Sequence, residues 1–96
     1  MKTVQLKSTK ETLPSGQEIE ITTEQLIKTA CNNSPQGGFT ATDMMDRIKI
    51  LDLLDKAEQE KLELEDADHK KLGEFVKATK WAFISRFITE FDAQFR

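Results

Sequence analysis

The sequence predicts an α+β fold, helix dominant: a single domain over residues 1–96 in which an N-terminal β-hairpin packs on three to four α-helices. Three observations carry this expectation. Val4 and Leu6, and again Ile19 and Ile21, alternate with polar neighbours at the period of half-buried strands. Beyond residue 22 the apolar spacing lengthens to that of helices. A chain of 96 residues, 38% hydrophobic and 32% charged, also has enough apolar material for one modest core and no second domain. The expected divisions are a hairpin over residues 1–22, a short helix over 23–32, a loop over 33–39 and a helical region over 40–96.

In the hairpin, Val4, Leu6, Ile19 and Ile21 are expected to share one apolar face, with Leu13-Pro14-Ser15-Gly16 as the turn signal inside a loop over residues 8–17. Two strands alone are marginal in water, so helices or another chain must cover that face. Thr22 and Gln25 have capping-box spacing ahead of Leu26, Ile27 and Ala30. The run Asn32-Asn33-Ser34-Pro35-Gln36-Gly37-Gly38 stops that helix. Thr40 and Asp43 open the next, whose stripe reads Met44, Ile48, Leu51 and Leu54. Met45, Ile50, Leu53 and Ala57 widen its apolar surface, so it should pack on more than one neighbour: the hairpin on one side, and a helix or another subunit on the other.

Lys61-Leu62-Glu63-Leu64-Glu65 alternates as a short extended segment, after which Asp66 or Asp68 can cap a helix carrying Leu72, Phe75 and Val76. Ile84, Phe87, Ile88, Phe91 and Phe95 form the cleanest amphipathic stripe. Lys80-Trp81 is either a bend between two helices or part of one longer helix.

Fourteen basic and 17 acidic residues leave a net charge of −3, which argues against binding nucleic acid or anionic lipid through bulk electrostatics. No apolar run reaches the ~18–20 residues of a membrane helix, and the first residues lack the apolar core of a signal peptide. Cys31 stands alone, so no intrachain disulfide can form and a reducing, cytoplasmic location is expected.

The usual catalytic and metal signatures are absent. His69 lies among acids at a helix start without a second ligand at zinc spacing, and reads as a solvent-exposed first-turn residue. Glu63, Glu65, Asp66 and Asp68 lack the glycine and the terminal glutamate of a calcium loop. Gly37-Gly38 has no phosphate-loop companions. Cys31, near a helix C-terminus with Lys28 as its nearest cation in sequence, reads as a buried, unreactive thiol. No enzyme activity, metal or cofactor is expected.

Two features point to a protein partner. Residues 52–68 hold eight acids and two bases, so charge is polarised if they form one face. Six Phe and one Trp are many for so small a core, and five of these seven follow residue 80. The expected partner-binding residues are Asp52, Asp55, Glu63, Glu65, Asp66 and Asp68 for orientation and on-rate, with Trp81, Phe83, Phe87 and Phe95 as the apolar patch. Homo-oligomerisation is the simplest outcome of such a surplus.

The run Arg47-Ile48-Lys49-Ile50-Leu51-Asp52-Leu53-Leu54-Asp55-Lys56-Ala57, then Leu62-Glu63-Leu64-Glu65-Asp66-Ala67-Asp68, Trp81 and Phe91, resembles short proteins of tailed phages and prophages. The resemblance covers residues 47–91 and implies a phage-type setting, with no catalytic residues to carry over. The leading expectation is therefore a non-catalytic protein-interaction module acting in virion assembly or on a host protein, in the host cytoplasm. The alternative is a small nucleic-acid-linked transcriptional regulator with a helix-turn-helix built from residues 40–58 and 68–79.

Overall fold

The computed structural model describes residues 1–58, 60–81 and 84–95. Along the chain run β1 (Lys2–Gln5), β2 (Ser8–Thr12), β3 (Glu18–Thr22), α1 (Thr23–Asn32), α2 (Ala41–Asp55), β4 (Lys61–Leu64), α3 (Asp66–Ala78) and α4 (Arg86–Ala93). The fold is α+β with helix dominant. Its strands form two separate antiparallel pairs, β1 with β4 and β2 with β3.

The hairpin is therefore β2–β3, and its register differs from the expected one. Thr9 faces Ile21 and Glu11 faces Ile19, while Val4 of β1 sits opposite Leu62 of β4. The polar stretch Ser8–Thr12, expected as loop, is a strand. It lacks apolar alternation because its partly buried positions are held by Thr9 and Glu11. Glu11 is satisfied by the hydroxyl of Ser85, which donates to its carboxylate. The turn falls where Leu13-Pro14-Ser15-Gly16 indicated, with Leu13 N–H donating to Gln17 O at 2.8 Å and Gly16 N–H to Leu13 O at 2.8 Å. Gly16 takes φ +88°, a region that glycine enters without steric cost.

At the start of α1 both bonds of the capping box form: Gln25 N–H to Thr22 Oγ1 at 3.1 Å, and Thr22 N–H to Gln25 Oε1 at 3.3 Å. Leu26, Ile27, Ala30 and Cys31 are buried. They meet Ile50 and Leu54 of α2, Leu62 and Leu64 of β4, Leu72, Phe75 and Val76 of α3, and Ile88 and Phe91 of α4 in one core.

Three further expectations are corrected. On α2 the inward stripe is Arg47, Ile50 and Leu54, not Met44, Ile48, Leu51 and Leu54. Met44 and Ile48 are exposed and Leu51 is partly buried; a charged residue takes the inward place that a hydropathy pattern withholds from it. Glu65 stands at the N-cap of α3 without a side-chain capping bond, so neither Asp66 nor Asp68 caps it; both lie in the first turn, where they favour the helix dipole. Finally, of the two alternatives at Lys80-Trp81 the structure has two helices, α3 and α4, and what it corrects is the place of Ile84. Ser85 caps the second by accepting from Phe87 N–H at 3.1 Å, which leaves Ile84 outside the helix and fully exposed rather than on its buried stripe.

Candidate functional site

With Arg47, Ile50 and Leu54 turned inward, the opposite side of α2 is set by helical geometry. At about 100° per residue, Met44, Ile48 and Asp55 fall within about 40° of one another, and Met45 and Asp52 lie within the next 60° or so. Met44 is 45% exposed, Met45 70% and Ile48 55%, while Asp52 and Asp55 are exposed beyond them. The face is thus apolar over the first half of α2 and acidic over the second. Neither carboxylate has an ion-pair partner among the described residues.

What holds this face outward is Arg47. Its Nε donates to Asp43 Oδ2 at 3.0 Å, and its Nη1 donates to the carbonyl oxygens of Ala30, Cys31 and Asn33 at 3.2, 3.0 and 3.0 Å. The guanidinium carbon lies 4.0 Å from the Phe75 ring centroid and 4.8 Å from that of Phe39. The C-terminal carbonyls of α1, of which Ala30's also accepts from the cap N–H of Asn33 at 3.3 Å, thereby receive a donor from α2. Rotating α2 to bury Met44 and Ile48 would break all of these bonds.

The acids expected to act together are divided among several elements. Glu63 and Glu65 are exposed, Glu63 alternating on β4 with the buried Leu62 and Leu64. Asp66 lies 3.6 Å from the Met1 amino nitrogen and Asp68 3.0 Å from Lys49 Nζ. Two of the six, Asp52 and Asp55, thus border the exposed apolar face.

The aromatic residues of the C-terminal region turn inward. Phe91 is buried; Trp81 meets it edge-on at 6.5 Å and Phe95 at 5.2 Å between ring centroids. Trp81, Phe87 and Phe95 are half-buried against the core, and Phe83 lies outside the described residues. His69, expected to be solvent-exposed, is partly buried with its ring 5.0 Å from that of Phe95. Gly73 lies so near Phe95 that a Cβ there would come within 3.1 Å of Phe95 Cβ, which explains glycine inside α3.

Met44, Met45 and Ile48 are the residues that sequence reasoning missed as surface. The available signal was that α2 is apolar around most of its circumference, more than one small core can cover.

Among the described residues no group of three or more His, Cys, Asp or Glu side chains could hold a metal ion. No helix among them is long and apolar enough to cross a membrane. Burial pushes the Cys31 thiol up to about 11, against a smaller opposing effect of nearby Arg47. The cation beside Cys31 therefore comes from α2, not from its own helix. An unfolded thiol ionises near its ordinary value of 9.0, so between pH 9.0 and about 11 the unfolded chain releases a proton that the folded one keeps. Stability is expected to fall across that window, and Cys31→Ala should flatten the fall in urea titrations. Native Cys31 should react with a thiol reagent at pH 8 far more slowly than the urea-unfolded chain; equal rates would contradict its burial.

The residues proposed for a helix-turn-helix do not form one. Residues 56–65 separate α2 from α3 and include β4, whereas the motif joins its helices by a turn of about three or four residues.

No family model, curated protein or solved structure matches the chain. The resemblance to short tailed-phage proteins therefore rests on the pattern in residues 47–91.

Proposed function

We propose that this protein is a non-catalytic interaction module that docks a protein partner through the outward face of α2. The observation that carries this reading is the adjacency of Met44, Met45 and Ile48, three large apolar side chains left in solvent on one helix face. Scattered exposed apolar residues are ordinary on any surface; contiguous ones on a rigid helix suit helix or groove recognition. Methionine adds adaptability, because its unbranched thioether repacks against differently shaped partners. Two acids at the rim supply charge for steering and register. In the setting implied by the sequence resemblance, the partner belongs to a virion under assembly or to the host cytoplasm.

The test is a photo-crosslinking residue placed at position 48, with position 12 on the hairpin as control, in cells that make the protein. One protein joined at 48, identified with its attachment peptide by mass spectrometry, absent at 12 and lost on Met45→Ser, supports the reading. No adduct at 48, or the same adducts at both positions, overturns it.

A further inference from the structure

We propose that the partner segment is a basic amphipathic helix of another protein, a deepening that rests on the α2 docking face. Its apolar residues would cover Met44, Met45 and Ile48, and its Lys or Arg side chains would reach Asp52 and Asp55. The argument starts from where the charge sits. Asp52 and Asp55 lie in the last turns of α2, where the helix dipole is already negative and that last turn carries no basic residue. Lys56 follows at the C-cap, yet no ion pair joins it to either carboxylate among the described residues. Acids in this position oppose helix stability, and the chain leaves them uncompensated. By contrast, Asp43 on another side of α2 is paired with Arg47, and Lys49 of α2 is paired with Asp68 of α3. Asp52 and Asp55 are thus unpaired acids that share the exposed apolar face, whereas Asp46, also without an ion pair among the described residues, lies about 100° around the helix from Met45 and is partly buried.

A second copy of the chain fits this face poorly. If two α2 helices met in parallel about a two-fold axis, Asp52 and Asp55 would lie against their own counterparts. If they met antiparallel about Ile48, each Asp52 would be pressed toward the Met44 of the other copy, desolvating a carboxylate with no cation to receive it. The same acids repel anionic lipid and nucleic acid. A cationic amphipathic helix satisfies both halves of the face at once. From Met44 to Asp55 the helix rises about 16 Å, so the partner stretch spans about three turns, with apolar residues spaced at i, i+3 or i+4, and i+7.

The experiment uses the full chain and two fluorescent helical peptides sharing one leucine stripe, the first flanked by Lys and Arg and the second by Glu in their place. Fluorescence anisotropy should show the basic peptide binding at least about ten-fold tighter than the acidic one, with affinity falling as ionic strength rises through about 0.1–0.3 M. Ile48→Ser should abolish binding, and Asp52→Asn with Asp55→Asn should weaken it by about five-fold. Equal affinity for the two peptides, or no loss on removing both carboxylates, overturns the basic-helix proposal. If that affinity still disappears with Ile48→Ser, the α2 docking reading survives it. Concentration-dependent self-association seen by light scattering and abolished by Ile48→Ser would instead assign the face to a second copy. Failure of both peptides to bind, together with no adduct at position 48, overturns both readings.

Discussion

Replacing Arg47 with methionine is expected to destabilise the protein by about 3–5 kcal/mol, the range for removing one member of a buried, hydrogen-bonded charge cluster. Methionine keeps much of the volume and packs well between Phe39 and Phe75, so the loss comes from the groups left behind. The carbonyls of Ala30, Cys31 and Asn33 lose the guanidinium donor, and Asp43 loses its ion-pair partner. Arg47→Lys should fall between the two proteins. An ammonium can reach one carbonyl or the carboxylate, but it lacks the planar fork that serves Nε and Nη1 contacts together and stacks between two rings. Urea unfolding followed by circular dichroism gives the order directly, as midpoints falling from Arg to Lys to Met with little change in slope. For a domain whose total stability is about 5–15 kcal/mol, the methionine variant should be partly unfolded at 37 °C. A loss below about 1 kcal/mol would mean that Arg47 does not set the rotation of α2, and the exposed face would lose its structural basis.

The same residue explains where sequence reading succeeds and where it stops. Local chemistry was legible: the Thr22–Gln25 box, the Thr40 cap, the turn at Leu13-Pro14-Ser15-Gly16 and the alternation of Leu62 and Leu64 each depend on neighbours a few residues away. Long-range choices were not. Val4 and Leu6 alternate equally well whether their partner is β3 or β4, and what joins β1 to β4 is a pairing across some sixty residues that no local pattern encodes. Strand β2 escaped notice because Glu11 is satisfied by Ser85, far along the chain. On α2, apolar residues occur at so many angles that the buried stripe depends on which side finds better partners. Arg47, with three carbonyls and two rings waiting for it, decides that competition. Aromatic content pointed to α4 for an exposed apolar surface, whereas the exposed apolar residues of a described helix lie on α2.

Phe91→Ala and Ile48→Ser should separate core from surface by their opposite effects. Phe91 is 1% exposed, and both Trp81 and Phe95 lean on its ring edge-on. Truncating it should cost about 3–5 kcal/mol, combining lost burial with a cavity that half-buried neighbours fill only in part. Two consequences follow from the contacts. Trp81 loses the ring that shields its indole, so its emission should shift to longer wavelength in the still-folded fraction. Phe95, no longer held at 5.2 Å by Phe91, should loosen against Gly73 and His69. Ile48→Ser removes a side chain already 55% exposed and should change stability by no more than about 0.5 kcal/mol. It should nevertheless remove partner binding. Chemical denaturation of the two variants, with Trp81 emission and partner binding measured on the same samples, decides the assignment. If Phe91→Ala left stability within about 1 kcal/mol of the parent and removed binding instead, the aromatic helix would be the interface and α2 would not. If Ile48→Ser unfolded the chain, its side chain would belong to the core and the outward face of α2 would not exist as described.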